Sequence, residues 1–172
     1  MLSIADYFWQ MCLLRAGPEA LPSSNFVTGF VLALYLPAAI AVSSLTRPGE
    51  TVDVTLIVVA TGVMIQALIT YAVASFKGYR VRFKATWAAL LGTNTCMLIV
   101  LLPFSLIIVN TENQMLKLFA DSGWWICFGW WLAIVGHIYH RATNISLIQG
   151  SAIAFLTEMM SVIITLSIVP RV

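Results

Sequence analysis

Five long apolar runs separated by short polar breaks dominate the chain, at 26–45, 54–76, 85–109, 123–139 and 145–169. Each falls within the about 17–25 residues that a helix needs to cross a bilayer. The breaks carry turn chemistry, as in Thr46-Arg47-Pro48-Gly49-Glu50 and His140-Arg141-Ala142-Thr143-Asn144. The pattern therefore predicts an all-α polytopic membrane protein, a bundle of five transmembrane helices forming one domain over 1–172. Pro37 removes a backbone hydrogen bond inside the first run and is expected to kink it. Between the third and fourth runs, 110–122 reads as a polar connection in which Thr111 and Gln114 match a capping box ahead of a short interfacial helix. The fourth span is then short and aromatic, with Trp124 and Trp125 at the expected belt and Trp130 and Trp131 deeper. Pro170 ends the fifth.

The first 24 residues follow a different pattern. Over 3–15, Ser3, Asp6 and Gln10 fall on one stripe, while Ile4, Phe8, Trp9, Met11 and Leu13 cover the rest. This predicts an N-terminal interfacial amphipathic helix lying at the membrane surface. The same spacing also fits a helix packed on the bundle. Gly17 and Pro18 are expected to end it, with Pro22-Ser23-Ser24-Asn25 turning into the first span. The first basic residue is Arg15, so no cleaved signal peptide is predicted.

Composition agrees with the pattern: 60% of residues are hydrophobic and 9% charged, against about 25% charged in soluble domains. A bundle of five spans uses nearly the whole length, so function must come from the bundle, its short loops or its partners. The formal charge of +2 is too small to point to nucleic acid. Cys12, Cys96 and Cys127 form no CxxC and no zinc spacing, and read as small hydrophobes. Charge distribution is more informative than its sum. Arg15, Lys77, Arg80, Arg82, Lys84 and Arg141 fall on the side of the N-terminus, and Arg47, Lys117 and Arg171 on the other. The positive-inside rule then places the N-terminus in the cytoplasm and the C-terminus outside. Lys77, Arg80, Arg82 and Lys84 alternate with aromatic and small residues between two spans, where they are expected to contact lipid headgroups.

Candidate chemistry is sparse. Glu158 lies near the middle of the fifth run, where charged side chains cost about 2.5–3.5 kcal/mol on insertion scales and usually face a bundle interior or aqueous cavity. At about 1.5 Å of rise per residue, Tyr35, Gln66, Asn94 and Glu158 all come out roughly 14–20 Å from the cytoplasmic ends of their helices. They are expected to form one intramembrane polar cluster, either a latch that fixes helix register or a proton or substrate site. In that cluster Asn94 or Gln66 hydrogen-bonds Glu158, so Glu158→Leu is expected to cost about 1–3 kcal/mol. His137 and His140 lie near the end of the fourth span with a spacing suited to two metal ligands, and a site would need at least one more. GxSxG, phosphate-binding glycine loops and HExxH are missing, and no cofactor or enzymatic activity is predicted. The small residues Ala88, Gly92 and Cys96, and again Gly150 and Ala154, form faces on which another helix can pack.

The segments Leu14-Arg15-Ala16-Gly17-Pro18-Glu19-Ala20-Leu21-Pro22 and Val135-Gly136-His137-Ile138-Tyr139-His140-Arg141-Ala142 resemble those of the small bacterial members of the Yip1-like membrane protein family. The resemblance covers most of the chain and implies a multi-pass protein of the bacterial inner membrane. Eukaryotic relatives act in vesicle trafficking and bind small GTPases through a cytoplasmic N-terminal region, which here spans about two dozen residues. No catalytic residue is carried over from the family. The reading that follows is a non-enzymatic scaffold or accessory subunit acting through helix contacts, as a homo-oligomer or within a larger complex in the lipid bilayer. The alternative is a transporter or channel component that uses Glu158.

Overall fold

Several helix starts along the chain are set by side chains that accept from the first free backbone N–H groups. Ser24 Oγ accepts from Val27 N at 3.2 Å and opens α2 (Asn25–Thr46), the second helix after α1 (Ile4–Cys12). Thr51 does the same for α3 (Val52–Phe76). A 3-10 turn over Arg80–Arg82 leads into α4 (Phe83–Asn110), followed by α5 (Gln114–Thr143) and α6 (Leu147–Ile168). At the start of α6, Ser146 and Gln149 make a reciprocal capping box: Gln149 N donates to Ser146 Oγ at 3.2 Å, and Ser146 N to Gln149 Oε1 at 3.1 Å. The computed structural model describes residues 4–168; Ser3, Pro170 and Arg171 of the sequence reading lie outside them. Within that range, α2 to α6 are five helices long and apolar enough to cross a membrane.

The region 110–122 departs from expectation. Asn113, not Thr111, caps the next helix, its Oδ1 accepting from Met115 N and Leu116 N. That helix is α5, 30 unbroken residues in place of a short interfacial helix and a short span. At about 1.5 Å per residue it is about 45 Å long, more than the about 30 Å that a hydrocarbon layer spans. Continuity follows from the lack of a proline between 114 and 143, and Gly123 is held inside the helix where the Phe104 ring would lie 2.4 Å from a Cβ. Pro37 likewise sits inside a continuous α2.

α4 packs on α2 on one side and on α5 on the other, α6 packs on α5, and α3 bridges α6 and α2. Thr28 Oγ1 reaches the Lys84 carbonyl at 3.4 Å, and Arg82 Nη1 donates to the Ala142 carbonyl at 3.3 Å. These contacts gather the starts of α2 and α4 with the ends of α3 and α5, and with them Lys77, Arg80, Arg82, Lys84 and Arg141, at one end of the bundle. Small residues let the backbones approach. A Cβ on Gly150 would lie 2.7 Å from the Gly136 carbonyl oxygen, so α5 and α6 touch backbone to backbone there.

α1 takes the packed alternative of the two that its periodicity allowed. Its Phe8 ring fills the space over Gly92 of α4, Met11 and Cys12 have no exposed surface, and Trp130 Nε1 of α5 donates to the Cys12 carbonyl at 2.9 Å. Trp9, Leu13 and Leu14 stay exposed on its outer side. The helix ends earlier than Gly17, in a Schellman motif: Arg15 N donates to Gln10 O at 2.9 Å and Leu14 N to Met11 O at 3.0 Å. Leu14 occupies the left-handed position with φ 60°, where glycine is usual; Gly78 fills the equivalent place after α3 with φ 79°. A non-glycine residue there costs about 1–2 kcal/mol. Leu14→Gly is expected to stabilise the fold by about 1 kcal/mol; unchanged or lower unfolding temperature in detergent would contradict this.

Candidate functional site

Tyr35 of α2, Gln66 of α3, Asn94 of α4 and Glu158 of α6 all line one small cavity of about 60 Å³, together with Trp131 and Tyr139 of α5. Equal depth in the sequence becomes adjacency because the five long helices alternate in direction around a common interior. Each of them contributes a polar side chain at this level.

Two hydrogen-bonded chains tie the cavity wall together. Trp131 Nε1 donates to Asn94 Oδ1 at 2.8 Å, and Asn94 Nδ2 donates to Gln66 Oε1 at 3.4 Å. Thr70 Oγ1 donates to the Gln66 carbonyl at 2.6 Å, which leaves it to accept from Tyr139 OH at 2.9 Å. Thus α3, α4 and α5 are latched by Gln66, Asn94, Trp131, Thr70 and Tyr139. Trp131, Thr70 and Tyr139 were not among the sequence candidates. The signal for Trp131 was present, since 12 residues separate it from the end of α5, about 18 Å and the same layer.

Glu158 takes no part in the latch. Among the described residues none donates a hydrogen bond to its carboxylate, and its side chain stays exposed in the cavity. Arg47, bridged to Glu50 at 3.6 Å at the far end of α2, is the cation whose field reaches it. The expected pairing of Glu158 with Asn94 or Gln66 is therefore replaced: Asn94 gives its oxygen to Trp131 and one of its two N–H groups to Gln66. An indole N–H positioned by the α4–α5 packing competes successfully for the amide, which no depth calculation reveals.

A second, larger cavity opens from the same residues. Tyr35, Asn94, Trp131 and Glu158 also form the floor of a groove of about 370 Å³ between α4, α5 and α6. Its walls are apolar and rich in aromatic rings. Trp124, Phe128 and Trp131 stack successively along α5, with centroids 5.4 and 5.7 Å apart, and Trp125 meets Phe128 edge-on at 5.8 Å. Trp125 and Phe155 are exposed at its rim, so the groove opens on the side of the bundle.

The remaining candidates lie elsewhere. Lys77, Arg80, Arg82 and Lys84 are exposed at one end of the bundle. Two of them are steadied by rings, Arg80 over Tyr71 at 5.7 Å and Arg82 over Tyr79 at 5.1 Å. His140 Nδ1 meets the Ile145 carbonyl at 2.6 Å, and His137 lies against Ala16. No group of three His, Cys, Asp or Glu side chains among the described residues is placed to hold a metal ion. Near the same end Tyr7 donates to the Gly17 carbonyl, and burial raises its phenol above the ordinary tyrosine range. No family model, curated protein or solved structure matches the chain.

Proposed function

We propose that the chain is a non-enzymatic, multi-pass protein of the bacterial inner membrane, Yip1-like, that binds a small ligand within the bilayer as a transporter or channel component. Glu158 is the binding group, and the Asn94–Gln66–Trp131 latch holds the cavity around it. The observation that carries this reading is a carboxylate that every neighbouring helix surrounds with polar groups yet none pairs, at the floor of an open groove. An unpaired ionisable group is costly at such depth, and its retention points to use. Lys77, Arg80, Arg82 and Lys84 then face anionic headgroups on the cytoplasmic side.

The scaffold reading rests on small-residue faces free to meet other chains. Those faces are filled within this one, Gly92 by Phe8 and Gly150 by Gly136, which favours the cavity. Dicyclohexylcarbodiimide, an apolar reagent that converts protonated carboxyl groups into stable adducts, tests the proposal. In membranes it is expected to label Glu158 of the intact protein, with the adduct located by mass spectrometry and lost in Glu158→Gln. A protein that stays unlabelled at Glu158 while folded would overturn the reading.

A further inference from the structure

We propose that the ligand of this groove is a lipophilic organic cation with aromatic or bulky apolar substituents, an inference that rests on the reading of the cavity as a binding site. Three features of the groove converge on that class. Its floor holds a carboxylate with no hydrogen bond or salt bridge among the described residues, and Arg47, the cation whose field reaches it, lies outside the groove lining and is bridged to Glu50. Its wall carries four aromatic side chains, Trp124, Trp125, Phe128 and Trp131, the residue type against which organic cations are held. The remaining lining, including Met97, Leu101, Phe155 and Met159, offers apolar surface to the rest of the molecule. The volume of about 370 Å³ lies within the range of sites for drug-sized ligands, about 300–1,000 Å³.

Physical chemistry separates this class from its neighbours. A small hydrated cation such as sodium needs oxygen ligands on several sides, and in the groove the oxygens lie on the floor alone while the walls are carbon. An anion meets an uncompensated carboxylate. A neutral hydrocarbon fills the walls and leaves Glu158 without a partner. A lipophilic cation satisfies both parts and enters the low-dielectric site as one half of a neutral pair. The exposed Trp125 and Phe155 rim provides entry from the side, which suits a molecule already partitioned into the bilayer.

Tetraphenylphosphonium and tetraphenylborate have nearly the same size and shape and opposite charge, and together they test the proposal on the purified full chain in lipid nanodiscs. Tetraphenylphosphonium is expected to bind saturably, at least tenfold more tightly than tetraphenylborate, and to slow carbodiimide labelling of Glu158. Glu158→Gln should weaken its binding at least tenfold without lowering the unfolding temperature, and Trp125→Leu should weaken it several-fold. Equal binding of the two ions, or phosphonium binding indifferent to Glu158→Gln, would overturn charge recognition. Carbodiimide labelling of Glu158 without phosphonium binding overturns the ligand class and leaves the site standing; loss of both removes the site as well.

Discussion

Gly150→Val is expected to break the α5–α6 contact and leave little folded protein. The nearest atoms to a Cβ at Gly150 are backbone atoms of Gly136: the carbonyl oxygen at 2.7 Å, Cα at 2.9 Å and the carbonyl carbon at 3.2 Å. No rotamer change relieves a clash with backbone, so one helix must move outward. That movement also strains the bond from Ser151 Oγ to the Leu132 carbonyl, now 3.0 Å, and uncovers Ala154 one turn further along. Overpacking typically costs about 1–3 kcal/mol, and the upper part of that range or more is expected where both surfaces are main chain. Gly29→Val and Gly129→Val are the controls, because nothing lies within 4 Å of a Cβ at either position. Unfolding followed by tryptophan fluorescence in detergent should show a large loss for Gly150→Val and almost none for the controls. A Gly150→Val protein as stable as the parent would mean that α5 and α6 are not in backbone contact.

The second large effect runs against ordinary expectation for a polar residue in a cavity: Glu158→Leu should stabilise the protein. Its carboxylate makes no hydrogen bond among the described residues, so its removal strands no partner. Removing an ionisable group from mid-span is worth about 2.5–3.5 kcal/mol on insertion scales, and leucine adds apolar surface to the groove. Asn94→Leu is the opposite case. It leaves the Trp131 N–H and the Gln66 side-chain oxygen without partners, each at a cost of about 1–3 kcal/mol. Denaturant titrations in micelles should therefore move in opposite directions for the two variants, while only Glu158→Leu abolishes ligand binding and leaves the fold intact. A destabilised Glu158→Leu would return the carboxylate to the structural latch and withdraw its functional role. Opposite shifts of this kind are what the proposed site predicts, a binding group left unsatisfied until its ligand arrives being kept at the expense of stability.

What the sequence by itself determined follows from periodicity and length. The five long helices, the approximate limits of four of them and the polar layer at one depth all depend on rise per residue and on apolar runs, quantities that are local to each segment. The gathering of Lys77, Arg80, Arg82, Lys84 and Arg141 at one end is equally local, since alternation of direction requires only short connections. Tertiary structure decided three things that no segment contains. Residues 114–122 joined α5, because Asn113 caps the helix and the Phe104 ring of α4 packs over Gly123, so nothing separates the connection from the span. α1 closed onto α4 and α5, because Phe8 finds the flat surface over Gly92. Most consequentially, Asn94 bonded to Trp131 and Gln66 and not to Glu158. Which of several polar groups at equal depth pair depends on angles and distances between helices, set by backbone contacts such as Gly136 with Gly150. Depth brings groups into one layer, and packing chooses the partners within it.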